Sequence, residues 1–273
     1  MNARAVAAWS AAGLVVALGT SNPYYRMAVI AAGLILLAAW PRSRRGLPRL
    51  GTTLLGAIIL AAVFNVLLSH VGGDVMFSIP NGVPLLGGTL TVESLAFGID
   101  VGLGLAAAIV AVAPISLLLE SHEVINALPR SLQRVGSVVS ASLNLVPGIA
   151  RSYTAIRDGQ LMRGWRLRGP RSWAEVMVPT LLTALEDSVQ LAETMEARGY
   201  SEHPRSRYRP HAWTSRDTLV TTSAAAIVGL VATAHMAGLI IDWHAYPYLS
   251  APAFSVLLPA VGLLLLAPVL RWN

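Results

Sequence analysis

Two arginines in this chain are each followed at once by a glycine, inside otherwise different runs. Arg163 and Gly164 close Gln160-Leu161-Met162-Arg163-Gly164, and Arg198 and Gly199 close Glu196-Ala197-Arg198-Gly199. The chemistry available to such a pair is recognition. Arginine offers a planar fork that can hold a carboxylate through two parallel hydrogen bonds. Glycine ends a helix by taking the left-handed conformation, with no side chain in the way, and a small residue such as Ala197 lets a helix end approach a wall closely. A cation in a last helical turn also suits the helix dipole, so one Arg-Gly end is ordinary helix chemistry. Two of them on successive helices point to use. Arg166-Leu167-Arg168-Gly169 is a second candidate for the first end; Gln160, three residues before Arg163, favours Arg163-Gly164.

Other chemistries are poorly served. The chain has no lysine, so a Walker-type nucleotide loop is impossible. It has no cysteine, and His70, His122, His203, His211, His235 and His244 are scattered with no pair four apart, so no metal site is expected. Asp158-Gly159-x-x-Met162-Arg163 resembles the opening of the membrane CDP-alcohol phosphotransferase motif. The continuation needs a glycine and further aspartates, and Ser172-Trp173-Ala174-Glu175 does not supply them. No catalytic residues are assigned.

The arginine ends need helices to carry them. Ser131 to Arg157 mixes serines with Val138, Leu143, Leu145 and Ile149, and Pro147 predicts a break into a helix or helix pair near the membrane surface. The next helix is read as Ile149 to Arg163, stopped by Gly164. The second helix runs from Ser172 to Glu196, with Ser172-x-x-Glu175 as a capping box and Pro179 as a bend or the true first turn. Leu182, Leu185, Val189 and Ala192 recur at helical period as one apolar stripe, with Asp187, Gln190, Thr194 and Arg198 roughly opposite. Glu196 lies beside the stripe at the unfavourable end of the dipole, which predicts a specific partner, an arginine of this region being the candidate.

These helices sit in a membrane protein. Of 273 residues, 55% are hydrophobic and 12% charged, too apolar for an ordinary soluble domain. Ala5–Leu18 follows Arg4 in the manner of a signal peptide, but no small-residue cleavage site follows, so it is read as a retained first span. Further spans are expected over Met27–Trp40, Thr52–Leu68, Gly98–Leu119 with Pro114 as a kink, Thr218–Ile241 and Tyr248–Leu270. Val71 to Ala96, with a turn at Pro80-Asn81-Gly82, reads as an external loop with room for a short re-entrant piece. Three segments follow: residues 1–119 with four spans, a cytoplasmic region 120–217, and residues 218–273 with two spans. The fold class is all-α and polytopic, with long amphipathic cytoplasmic helices.

Charge sets the orientation. Region 120–217 holds 13 of the 20 arginines, and placing it inside with both termini and the 41–50 loop puts 19 of 20 in the cytoplasm. Only Arg26 falls outside. The net charge of +6 is therefore assigned to the inner face of a cell membrane and its lipid, not to nucleic acid. Asp74, Glu93 and Asp100 are expected at the external surface or a subunit seam, and Gly102 and Gly104 at a close helix contact.

Gln160-Leu161-Met162-Arg163-Gly164, Val178-Pro179 and Met195-Glu196-Ala197-Arg198-Gly199-Tyr200 together resemble the signature of the transmembrane (T) component of energy-coupling factor transporters, the CbiQ/EcfT family. Asn22-Pro23, Thr91-x-Glu93, Leu128-Pro129 and Pro147 extend the likeness over most of the chain. The first motif departs from the family's Ala-Arg-Gly, with Met162 in the alanine's place. The resemblance implies a non-catalytic subunit with two coupling helices, each inserting its arginine end into a groove on one of two ABC-type ATPase subunits. Gln160, Met162, Arg163 and Gly164 would form one contact; Glu196, Ala197, Arg198 and Gly199 would form the other. It implies that ATP is bound by those partners and no cofactor by this chain. A separate membrane S component would bind a vitamin or transition metal, cobalt included, and topple to release it. A self-sufficient secondary transporter or channel is the competing reading; it calls for ionisable residues inside the spans or inverted repeats, and neither is evident.

Overall fold

The computed structural model describes residues 2–41, 43–44, 46–69, 72–79, 88–126, 132–166, 169–199, 213–239, 242–246 and 249–269. Pro80-Asn81-Gly82, Leu128-Pro129, Arg168 and Tyr200 lie outside that set. The chain divides into two compact units, one formed by Met1–Val124 with Ala212–Asn273 and the other by Ile125–His211.

In the first unit, the leading and trailing helices fold together. It contains α1 (Ala3–Gly19), α2 (Pro23–Ala39), α3 (Leu47–Leu68), β1 (Val75–Ile79), β2 (Gly88–Thr91), α4 (Val92–Leu118), α8 (Ser215–Met236) and α9 (Leu258–Leu266), and the short α5 (Ser121–Asn126) begins in it and ends in the second unit. Asn22 caps α2 by accepting from the Tyr24 amide, with Pro23 supplying the first-turn proline. Three helices among the described residues, α3, α4 and α8, are long and apolar enough to cross a bilayer; α1 and α2 are shorter apolar helices of 17 residues. The protein is an all-α polytopic membrane protein.

Its core gathers Trp9, Ala12 and Val16 of α1, Tyr25, Val29 and Leu36 of α2, Ala107 and Ala111 of α4, and Val220, Ile227 and Val231 of α8. The Trp9 indole N–H donates to the Leu265 carbonyl at 2.9 Å, fixing α9 against α1. By contrast, α3 buries only Leu54 and Ala62 and turns Leu55, Ile59, Leu60, Val63 and Phe64 outward, the pattern of a helix facing lipid. Its contact with α4 depends on small residues. A Cβ at Gly102 would lie 2.7 Å from the Ile58 Cα, and one at Gly98 would lie 2.8 Å from the Ala62 Cα. Gly104 serves differently, leaving room for the Arg26 guanidinium.

Arg26, the lone external arginine of the sequence reading, is paired. Its Nη1 lies 2.5 Å from Asp100 Oδ2 and donates to the Asp100 carbonyl at 2.7 Å. Asp100 and Glu93 are buried, against the expectation of a surface or seam. Glu93 turns inward because its Oε1 accepts the Gly73 and Asp74 amides, tying the approach to β1 onto the first turn of α4. Asp74 itself is exposed.

Several spans differ from expectation. The segment read as an external loop contains two paired antiparallel strands, β1 and β2, with an irregularity between Val75 and Phe77, and α4 starts six residues before Gly98, where Thr91 caps it. Pro114 lies inside α4. Helix α8 ends at Met236 because Gly238 takes φ +66° and its amide bonds His235. Among the described residues, the expected span Tyr248–Leu270 contains only the nine-residue α9, about 14 Å long. Residues 249–257 are not helical. Pro252 lacks an amide donor, and the Ala253 carbonyl is taken by the Asn22 side chain at 2.8 Å.

The second unit is built on α6 (Gln133–Met162) and α7 (Pro170–Ala197), which pack together. The break expected at Pro147 is absent, so the two predicted pieces form one 30-residue helix with the proline inside it. Arg151 Nε also donates to the Pro147 carbonyl at 3.2 Å. The Ser172 capping box does not form either. Gly169 is the N-cap of α7, and the Ser172 hydroxyl donates back to its carbonyl. Pro179 is interior to α7.

Candidate functional site: two arginine-capped helix ends

Both arginines occupy the C-cap position of a long helix. At the end of α6, Arg163 has φ −86° and ψ 9°, and Gly164 has φ +84°. The Gly164 amide bonds the Leu161 carbonyl at 3.0 Å, and the Trp165 amide bonds Gln160 at 2.9 Å. These two bonds form the paired pattern that closes a helix through a left-handed glycine. Gln160 thus contributes through its backbone, receiving the chain as it leaves the helix. The Trp165 indole then donates to the Ser172 carbonyl at 3.0 Å, pinning the connector to the first turn of α7.

The end of α7 repeats the geometry. Arg198 has φ −89° and ψ 9°, Gly199 has φ +70°, and the Gly199 amide bonds the Glu196 carbonyl at 2.9 Å. In both places the left-handed glycine turns the chain away just after the arginine, leaving its side chain at the helix tip. The Arg163 and Arg198 side chains are exposed, with no partner among the described residues. Met162 is 89% exposed, and Ala197 is exposed too. Glu196 is also exposed and pairs with no described arginine; Arg168, Arg205, Arg207 and Arg209 of the same region lie outside the described residues. The competing Arg-Gly differs in kind, because Gly169 opens a helix instead of ending one.

The two tips do not converge on one site. Helix α7 begins at the connector leaving Arg163 and carries Arg198 at its far end. Its 28 residues span up to about 42 Å. Two separated, exposed cations on helix ends suit two separate acidic surfaces better than one pocket. Between them, Val178, Leu182, Leu185 and Val189 face outward, with Leu185 64% exposed, while Val176 and Thr180 are buried on another side of α7. The apolar stripe is therefore left uncovered within this unit. No group of three or more metal-ligating side chains occurs among the described residues.

One feature escaped the sequence reading. Thr214-x-x-Asp217 forms a complete capping box at the start of α8, and the Asp217 carboxylate also accepts the Asn2 amide at 2.7 Å. The pattern was visible in the sequence, but it lay at the edge of a segment read only as a boundary.

A polytopic α-helical membrane protein that carries a pair of long amphipathic helices, each ended by an exposed arginine, is the class these observations define. The family model described as "CbiQ: Cobalt transport protein" matches residues 2–209, and the chain belongs to that family. It is 33% identical over 104 residues to the energy-coupling factor transporter transmembrane protein EcfT of Thermotoga maritima, covering 36% of this chain and 38% of the relative. The EcfT protein of Exiguobacterium sibiricum is 32% identical over 111 residues, 38% of this chain and 41% of the relative. That of Bacillus subtilis is 31% identical over 101 residues, 34% and 38% of the two chains. The matched stretch thus spans about two-fifths of the length of these curated relatives.

Proposed function

We propose that this chain is the transmembrane component of an energy-coupling factor transporter. It is a multi-pass protein of the cell membrane, with the arginine-tipped unit in the cytoplasm and no catalytic site of its own. Two ABC-type ATPase subunits bind and hydrolyse ATP. One grips the α6 tip through Met162, Arg163 and Gly164, placed by Gln160; the other grips the α7 tip through Glu196, Ala197, Arg198 and Gly199. The uncovered apolar face of α7 receives the membrane S component that carries the vitamin or transition-metal cargo. The observation that carries this reading is the repetition of one local geometry, an exposed arginine at the C-cap and a left-handed glycine after it, at two points a helix length apart.

Each arginine would meet a carboxylate in a groove closed to water. Breaking such a desolvated pair from one side costs about 3–5 kcal/mol, largely because the other charge is left stranded. The test is the Arg163→Glu/Arg198→Glu double variant, expressed with the rest of the transporter. Loss of ATP-driven uptake, with an unchanged thermal unfolding profile for the isolated chain, is the expected outcome. Full uptake by the double variant removes the basis of the assignment.

A further inference from the structure

Asp217 is 1% exposed and belongs to two helices at once. Its Oδ2 accepts the Thr214 amide at 3.0 Å and the Thr214 hydroxyl at 2.7 Å, closing the first turn of α8. Its Oδ1 accepts the Asn2 backbone amide at 2.7 Å, at the first turn of α1. The Asn2 side chain in turn caps α1 by accepting from the Arg4 amide.

These two helices run parallel. Asn2 meets Asp217 where both begin, and a Cβ on Gly19, at the end of α1, would lie 3.9 Å from Val231 near the end of α8. Two parallel helix starts bring two positive dipole ends together, each with unpaired amides. One buried carboxylate between them relieves that repulsion and satisfies amides from both. Breaking it frays both first turns together, because neither helix has a second acid there.

Its position along the chain gives this clamp a mechanical meaning. The second unit ends at His211, and Asp217 is the first buried residue described after it. Any pull on the arginine-tipped unit reaches the membrane bundle on this side through the first turn of α8. If that turn opened, displacement would be spent in unwinding one helix end. With α8 bolted to α1 at Asp217, and the two packed along their length through Trp9, Val16, Val220, Ile227 and Val231, the displacement moves two helices as one body.

We propose that Asp217 is the positioning residue through which motion of the arginine-tipped helices is delivered to the membrane bundle, by holding the starts of α1 and α8 together. This rests on the coupling function proposed above.

The absence of cysteine from the chain makes a direct test available. The whole transporter, purified as a complex and reconstituted in proteoliposomes, is assayed for uptake per ATP hydrolysed. Asp217→Ala should lower that ratio about tenfold, the scale of losing hydrogen bonds to a buried charged group. The milder Asp217→Asn should lower it about threefold, and it serves where the alanine variant fails to accumulate. In Asn2→Cys/Asp217→Cys, oxidising the two neighbouring thiols to a disulfide with copper phenanthroline should restore the ratio, whereas the same protein kept reduced should stay low. A purely structural role for Asp217 would change the amount of complex recovered and leave the ratio alone. Wild-type uptake per ATP in Asp217→Asn, or a linked double-cysteine protein that stays uncoupled, overturns the proposal while the coupling function stands. Recovery of the wild-type chain without ATP-hydrolysing subunits overturns the coupling function and this inference together.

Discussion

Replacing Gly164 by alanine isolates the geometry that aims Arg163. Gly164 has φ +84°, and a Cβ built there would meet nothing within 4 Å, so the penalty is conformational and not steric. Holding an L-residue with a side chain in the left-handed region costs about 1–2 kcal/mol. Gly159 provides the internal control. It lies inside the same helix, also with open space around its Cβ position. There alanine should stabilise the helix by about 0.5–1 kcal/mol, because glycine in a helix interior gives up more backbone freedom. The same substitution five residues apart should therefore act with opposite sign. The combined difference is about 1.5–3 kcal/mol, a factor of roughly ten to a hundred in the population of the closed helix end. Hydrogen exchange of the amides of residues 161–165, in nanodiscs, reads this locally. Gly164→Ala should accelerate exchange at Gly164 and Trp165, whose amides close the end on Leu161 and Gln160. Gly159→Ala should slow it or leave it unchanged. If both variants exchange alike, the left-handed glycine does not hold the tip, and the account of how Arg163 is presented is wrong.

Two further predictions concern the membrane bundle. Asp100→Ala should destabilise the protein by about 3–5 kcal/mol by leaving Arg26 buried without its partner, and Arg26→Ala/Asp100→Ala should cost less; thermal unfolding in detergent checks this, and additive single effects would deny the pairing. Gly102→Leu should cost about 1–3 kcal/mol by forcing α3 and α4 apart, whereas Gly56→Leu, on an open face of α3, should be nearly neutral by the same measurement.

Much of the helical outline was readable because apolar runs and arginine placement are strong signals. Gly164 and Gly199 marked the ends of α6 and α7, since glycine has a conformational reason to stand there, whereas α2 starts at Pro23, four residues before the expected Met27, because Asn22 caps it. What misled were local rules overridden by neighbours. Pro147 costs one helical hydrogen bond, but the helix continues past it. Ser172 had the right spacing to cap, yet α7 starts at Gly169-Pro170 and the hydroxyl turns back to the Gly169 carbonyl. The final apolar run looked like a full span because hydropathy does not register Pro252 or the hydrogen bond from Asn22 to Ala253. Asp100 could not be placed from the sequence, because its burial depends on Arg26, 74 residues away. At the candidate site the residues were legible and their arrangement was not. Only the fold separates the two tips by the length of α7 and leaves the stripe of Leu182, Leu185 and Val189 facing outward.

The central claim is that the ends of α6 and α7 are held by nucleotide-driven subunits. A photo-crosslinking amino acid placed at Met162, and in a second protein at Ala197, tests it in native membranes. Both positions are exposed beside their arginines. The account predicts that each probe captures an ATP-binding protein, and that Arg163→Glu or Arg198→Glu suppresses capture at its own tip only. Crosslinks confined to lipid, or to proteins that bind no nucleotide, would contradict it.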